Sequence, residues 1–86
     1  MAAFAVISIT PNPDLDKQIA GAYAGAYLAL SQSAWLISDK NVTTKEVCDK
    51  INVKPGGIGA VVVKIESYFG VASPNIWEWL KVKMAD

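Results

Sequence analysis

The sequence predicts an α+β sandwich, one sheet with helices packed across it. Three observations point there. Short apolar runs rich in β-branched residues alternate with short helical stretches. The helical stretches open on recognisable start signals. The elements follow in the order β-α-β-β-α-β with an extra C-terminal helix, an arrangement that suits helices layered on a sheet.

The first strand is read over residues 4–10 (FAVISIT). Its alternation puts Ala5, Ile7 and Ile9 on one face and Phe4, Val6, Ser8 and Thr10 on the other. Pro11-Asn12-Pro13 stops it. Asn12 reads as a helix N-cap, with Pro13 at the first helical position. Asp14 and Asp16 fall in the first turn, where the helix dipole favours acids. Leu15, Ile19, Ala22 and Tyr23 make a core-facing stripe. Gly21 and Gly25 weaken the helix, which is expected to end near them.

Residues 27–30 and 33–38 read as two short strands, or one kinked strand, around Ser31-Gln32. Asp39-Lys40-Asn41 is a polar turn. Thr43 and Glu46, three apart, form a capping box and start a second helix. Val47 and Ile51, with Cys48 beside them, are its apolar face. Pro55-Gly56-Gly57 breaks the chain. Residues 59–66 (GAVVVKIE) are the best strand. Val61, Val63 and Ile65 share one face; Ala60, Val62, Lys64 and Glu66 share the other. Tyr68-Phe69-Gly70 leads into a loop. Ser73-Pro74 opens a last helix, with Ile76, Trp77, Leu80 and Met84 on one side.

A sheet covered on one face should be polar on the other. Phe4, Val6 and Val62 would sit on that uncovered face, so a second copy is expected to cover them in a symmetric homodimer. Composition agrees: 86 residues suit one domain over 1–86, and 52% apolar residues leave surplus for an interface. The candidate dimer or partner surface is Phe4, Val6, Val62, Tyr68, Phe69 and Trp79.

Eight basic and eight acidic residues cancel, which removes the bulk field that non-specific nucleic-acid binding needs. One cysteine excludes an internal disulfide and fits a reducing compartment. The first residues lack the pattern of a secretory signal, so a cytoplasmic location is expected. With no histidine, the usual general base and the commonest zinc ligand are missing. Cys48 lacks an imidazole partner and reads as a packing residue. The glycine-rich stretch after Lys54 lacks the Gly-Lys-Ser/Thr ending of a phosphate loop and reads as a turn. Asp14 and Asp16 point to different sides of a helix, while Asp39, Asp49 and Glu66 are scattered and read as solvated. No catalytic residue, metal site or cofactor is expected. Trp35 reads as core. Trp77 and Trp79 cannot share a helix face, so one is expected on the sheet and one at an edge.

The stretches QSAWLIS (32–38), TTKEVCDKI (43–51) and AVVVKIESYFGVASPNIWEWLK (60–81) resemble the SinR-like small proteins. These are relatives of the ferredoxin-fold small subunit of CRISPR adaptation complexes. The shared pattern is a strand with Ser-x-Trp and aliphatics, a Thr/Ser-capped helix, a β-branched strand and a terminal helix ending Trp-Leu-Lys. The resemblance covers nearly all of the chain, with a shorter first helix than usual. It implies a ferredoxin-like fold, a homodimer, and a role as an accessory or regulatory factor of a mobile-element or defence system. In the CRISPR relatives a metal-binding Asp ends the first strand. Aligning Val6-Ile7-Ser8 places Thr10 there, a poor Mg²⁺ ligand, which puts the family's nuclease chemistry in doubt.

Three rival readings follow from particular residues. A nucleic-acid-binding or nuclease module would draw on Lys45, Lys50, Lys54 and Lys64. A small membrane protein would use the uncharged residues 19–37, which include Gly21-x-x-x-Gly25, although Ser31, Gln32 and Ser33 oppose insertion. A winged helix would read DNA with residues 44–51, but lacks a second adjacent helix and enough positive charge.

Overall fold

The computed structural model describes residues 1–85. Seven elements follow in the expected order: β1 (Ala2–Ile7), α1 (Pro13–Ala22), β2 (Tyr27–Ser31), β3 (Ala34–Asp39), α2 (Thr44–Lys50), β4 (Val61–Lys64) and α3 (Pro74–Lys83). The strands form one sheet in the order β2-β3-β1-β4, every neighbouring pair antiparallel. An α+β fold is therefore in place. The β2–β3 hairpin turns through Gln32 and Ser33. The connections through α1 and α2 each skip one strand, which leaves β1 and β3 at the centre.

The start signals work as the sequence implies. Asn12 Oδ1 accepts the Leu15 N–H at 3.0 Å, ahead of Pro13. Thr43 and Glu46 close a complete capping box. At α3, Pro74 holds the first helical position, but the Ser73 hydroxyl makes no capping bond. Between α2 and β4 the glycine-rich stretch is a tight turn: Ile58 N–H reaches the Asn52 carbonyl at 3.0 Å. A Cβ on Gly57 would come within 2.9 Å of that same oxygen, so a side chain there would force the turn open.

Two apolar layers sandwich the sheet. On one face Phe4, Val6, Trp35 and Ile37 meet Leu15, Ile19 and Tyr23 from α1 and its cap, and Val47 and Ile51 from α2 and its cap. On the other face Leu80 of α3 packs on Ala3 and Leu36, with Leu28, Ile65, Trp77 and Trp79 around it.

This reverses the expected sheet faces. Phe4 and Val6 are fully buried under α1 and α2. They cannot line a dimer surface, and half-buried Val62 packs against the same core. Alternation alone could not decide which side takes the helices, because β1 is apolar on both. The bare face was also expected to be open, whereas α3 lies across part of it.

Smaller differences have local causes. β1 starts at Ala2 and ends at Ile7, where its partner β3 begins: Ile7 pairs with Ala34. Beyond it the Ser8 hydroxyl turns to the Thr10 carbonyl at 2.8 Å. β4 is trimmed to Val61–Lys64, the stretch that faces Phe4 through Ile7. Ala22 is exposed rather than core-facing, and Cys48 is half-buried. The uncharged residues 19–37 divide among α1, β2 and β3. Among the described residues no helix is long and apolar enough to cross a membrane. α2, proposed above as a DNA reader, packs Val47 and its cap residue Ile51 into the core.

Candidate functional site

Three features stand apart from ordinary packing: a polar clasp at the end of β3, a half-covered sheet face, and the β2 edge. The clasp joins three element ends. Asp39 closes β3, Tyr23 caps α1 and Lys50 ends α2. Asp39 Oδ2 accepts from Tyr23 Oη at 2.9 Å and from Lys50 Nζ at 2.7 Å. Its Oδ1 accepts the Lys40 N–H at 2.7 Å. Lys50 Nζ also lies 5.8 Å from the centre of the Tyr23 ring, within cation–π range.

The sequence places Asp39 among solvated carboxylates, whereas in the fold it is buried. Burial alone would push its carboxyl pKa up. The hydrogen bonds from Lys50, Tyr23 and the Lys40 amide outweigh that and hold it below 3.8. Burial, then the bond to Asp39 and its charge, push the Tyr23 hydroxyl well above its ordinary value. The carboxylate is committed as an acceptor and the phenol is held protonated. Neither is poised as a base or nucleophile, so the clasp locks the helices to the sheet. Burial, followed by the charge of Asp49, likewise raises the Cys48 thiol, which disfavours the reactive thiolate.

The sign of the pH effect follows. Asp39 has a lowered folded pKa, so its stabilisation is complete above 3.8, the ordinary value, and is lost as pH falls through the lowered one. Urea midpoints measured from neutral pH downward are expected to drop more steeply for wild type than for Asp39→Asn in this acid range. Parallel curves would show that the carboxylate does not contribute.

Trp35 is core, as expected, but its indole N–H has a specific partner. It donates to Asp16 Oδ1 at 2.9 Å. Asp16 is thus tied to the indole and does not act only through the helix dipole.

On the second face, α3 leaves one end of the sheet bare. Ile7, Leu30, Val61 and Val63 are between 42% and 58% exposed there. Ile7 pairs with Ala34 on one side and Val61 on the other, forming an uncharged row across three strands. Of the other residues predicted for an interface, Tyr68 stacks on Trp77, ring centres 5.8 Å apart and planes at 9°. Trp77 and Trp79 are both half-buried against the α3 cluster, rather than one on the sheet and one at an edge. Phe69 is fully exposed. The structure brings Tyr68 and Trp79 to the neighbourhood of α3 and leaves Phe4, Val6 and Val62 in the opposite layer.

Two open clefts flank the loop after β1. One of about 540 Å³ lies between Pro11–Pro13 and the β2 residues Ala29 to Ser31. Another of about 360 Å³ lies between Ile7, Val61 and the loop residues Ser8 to Thr10. Among the described residues neither is lined by a nucleophile with a base, and the one carboxylate in their linings, Asp16, is bonded to Trp35. Among the described residues no group of three or more acids and Cys48 could hold a metal ion. Three of the four lysines proposed as a basic patch have polar partners. Lys45 pairs with Asp49 at 3.3 Å, Lys50 with Asp39, and Lys64 with the Asn41 side chain.

No family model matches the chain, and no curated protein matches it.

Proposed function

We propose that this is a small ferredoxin-like, dimeric protein that works through protein contacts rather than chemistry. The strand order β2-β3-β1-β4, built from two crossovers that each skip a strand, supports that fold. One observation carries the functional reading. The sheet retains uncharged apolar surface at Ile7, Leu30, Val61 and Val63 after its own helices have packed. Such surface on a small domain marks an interaction site. The polar clusters support no rival chemistry, since Asp39, Tyr23 and Asp16 are all committed to one another or to Trp35 and Lys50. With the resemblance to SinR-like proteins, the role is that of a cytoplasmic accessory or regulatory factor of a mobile-element or defence system.

Sedimentation equilibrium tests the dimer. The expected result is reversible dimerisation at micromolar concentrations with no change on adding single-stranded RNA. A monomer at tens of micromolar that instead binds RNA in a salt-dependent way would replace this reading with the nucleic-acid one.

A further inference from the structure

The two edges of the sheet are unlike. The β4 edge is four residues long and carries Lys64, whose ammonium reaches Asn41. Glu66 follows it two residues on. Charges of this kind keep an edge strand from pairing with another chain. The β2 edge, Tyr27–Ser31, has none. It lies inside residues 19–38, which contain no Asp, Glu, Lys or Arg.

The backbone of β2 also points usable groups outward. Ser38 N–H donates to the Ala26 carbonyl at 2.9 Å, and Leu28 pairs with Leu36 in the same register. Bonded and non-bonded pairs alternate along an antiparallel ladder. Ala26 and Leu28 therefore turn their backbone groups toward β3, and Tyr27 and Ala29 turn theirs away from the sheet. A bulge between Ala29 and Ser31 ends the regular edge, so the open ladder is the short run Tyr27–Ala29.

We infer that a second copy of this chain pairs with the β2 edge. The two β2 strands run antiparallel about a two-fold axis at Leu28, and Tyr27 of each copy exchanges hydrogen bonds with Ala29 of the other. A two-fold interface requires a surface complementary to itself. An antiparallel strand meets this, and an uncharged one meets it without like charges facing each other. Leu30, half-exposed on β2 itself, extends the contact. The result is one continuous eight-stranded sheet. The proposal rests on the dimeric reading above and states where the dimer joins.

Opposed charges test it. Ala29 is exposed, so Ala29→Lys and Ala29→Glu should each fold, as circular dichroism and melting would verify. Each variant alone is expected to dimerise at least tenfold more weakly than wild type, and an equimolar mixture of the two is expected to recover the dimer. Ala29→Pro deletes one outward N–H and none that β3 uses; it should also weaken the dimer. Val82→Lys, on the exposed side of α3, should leave it intact. A dimer lost with Val61→Lys but kept with the Ala29 variants would overturn edge pairing while preserving the dimeric reading. A wild-type monomer at tens of micromolar would overturn both.

Discussion

Replacing Trp35 by alanine is expected to remove a large share of the protein's stability. Trp35 is the largest of the fully buried side chains, 1% exposed. It sits on the central strand β3, opposite Val6 of β1, where the sheet meets α1. Truncating a buried aromatic to alanine costs roughly 3–5 kcal/mol. At roughly 0.05–0.15 kcal/mol per residue, a domain of this size has only about 4–13 kcal/mol to lose. Two variants separate packing from the hydrogen bond. Trp35→Phe keeps most of the ring and drops the N–H. Exposed Asp16 can then turn to water, so the loss should be about 1–2 kcal/mol. Urea denaturation followed by circular dichroism measures both. If Trp35→Ala melts within a few degrees of wild type, the core does not centre on this residue.

The second large effect is expected at Leu80. It is the one side chain of α3 that is fully enclosed, 3% exposed, and it touches Ala3 and Leu36 on the central strands. Leu80→Ala should cost about 2–5 kcal/mol by opening a cavity beneath the helix. The loss should be uneven. α3 packs on the sheet over few residues and has no side-chain cap at its start, so it should detach before the sheet melts. Hydrogen exchange should show α3 amides losing protection while β1 and β3 keep theirs. A dye that binds exposed apolar surface should respond in the same variant. Val82→Ala, on the exposed side of α3, should do neither. Equal loss of protection in α3 and the sheet would show instead that the helix and sheet unfold as one unit.

Local signals carried much of the fold. Asn12-Pro13, the Thr43–Glu46 box and Pro74 each placed a helix start, because capping involves residues adjacent in the chain. The β-branched runs placed β1 and β4, while residues 27–30 and 33–38 read equally as two short strands or one kinked strand. What could not be read was set by distant partners. β1 is apolar on both sides because α1 and α2 cover one and α3 the other. Its alternation therefore carries no direction, and the layer it suggests for Phe4, Val6 and Val62 is the opposite of the one they occupy. The clasp was invisible for the same reason, since Tyr23 and Asp39 are sixteen residues apart. A signal did exist: Asp39 is the first charge after a long uncharged run that ends in a strand, and an acid there needs a donor. Trp35 was legible as core but its bond to Asp16 was not, although a buried indole N–H always asks for an acceptor.

The position of α3 also bears on how the chain is made. The central strands β1 and β3 are complete once residue 39 has been added, but the helix that shelters their second face spans residues 74–83. At roughly 5–20 residues per second, a ribosome takes several seconds to supply it. Throughout that interval Ala3, Ala5, Leu28 and Leu36 lack their cover. β4, which pairs with β1, is also late in arriving. The nascent chain therefore passes through a stage in which it presents more apolar surface than the finished protein ever does. Folding yield in the cell should depend on how that stage is shielded, and a chaperone that greets emerging chains has a well-defined surface to hold.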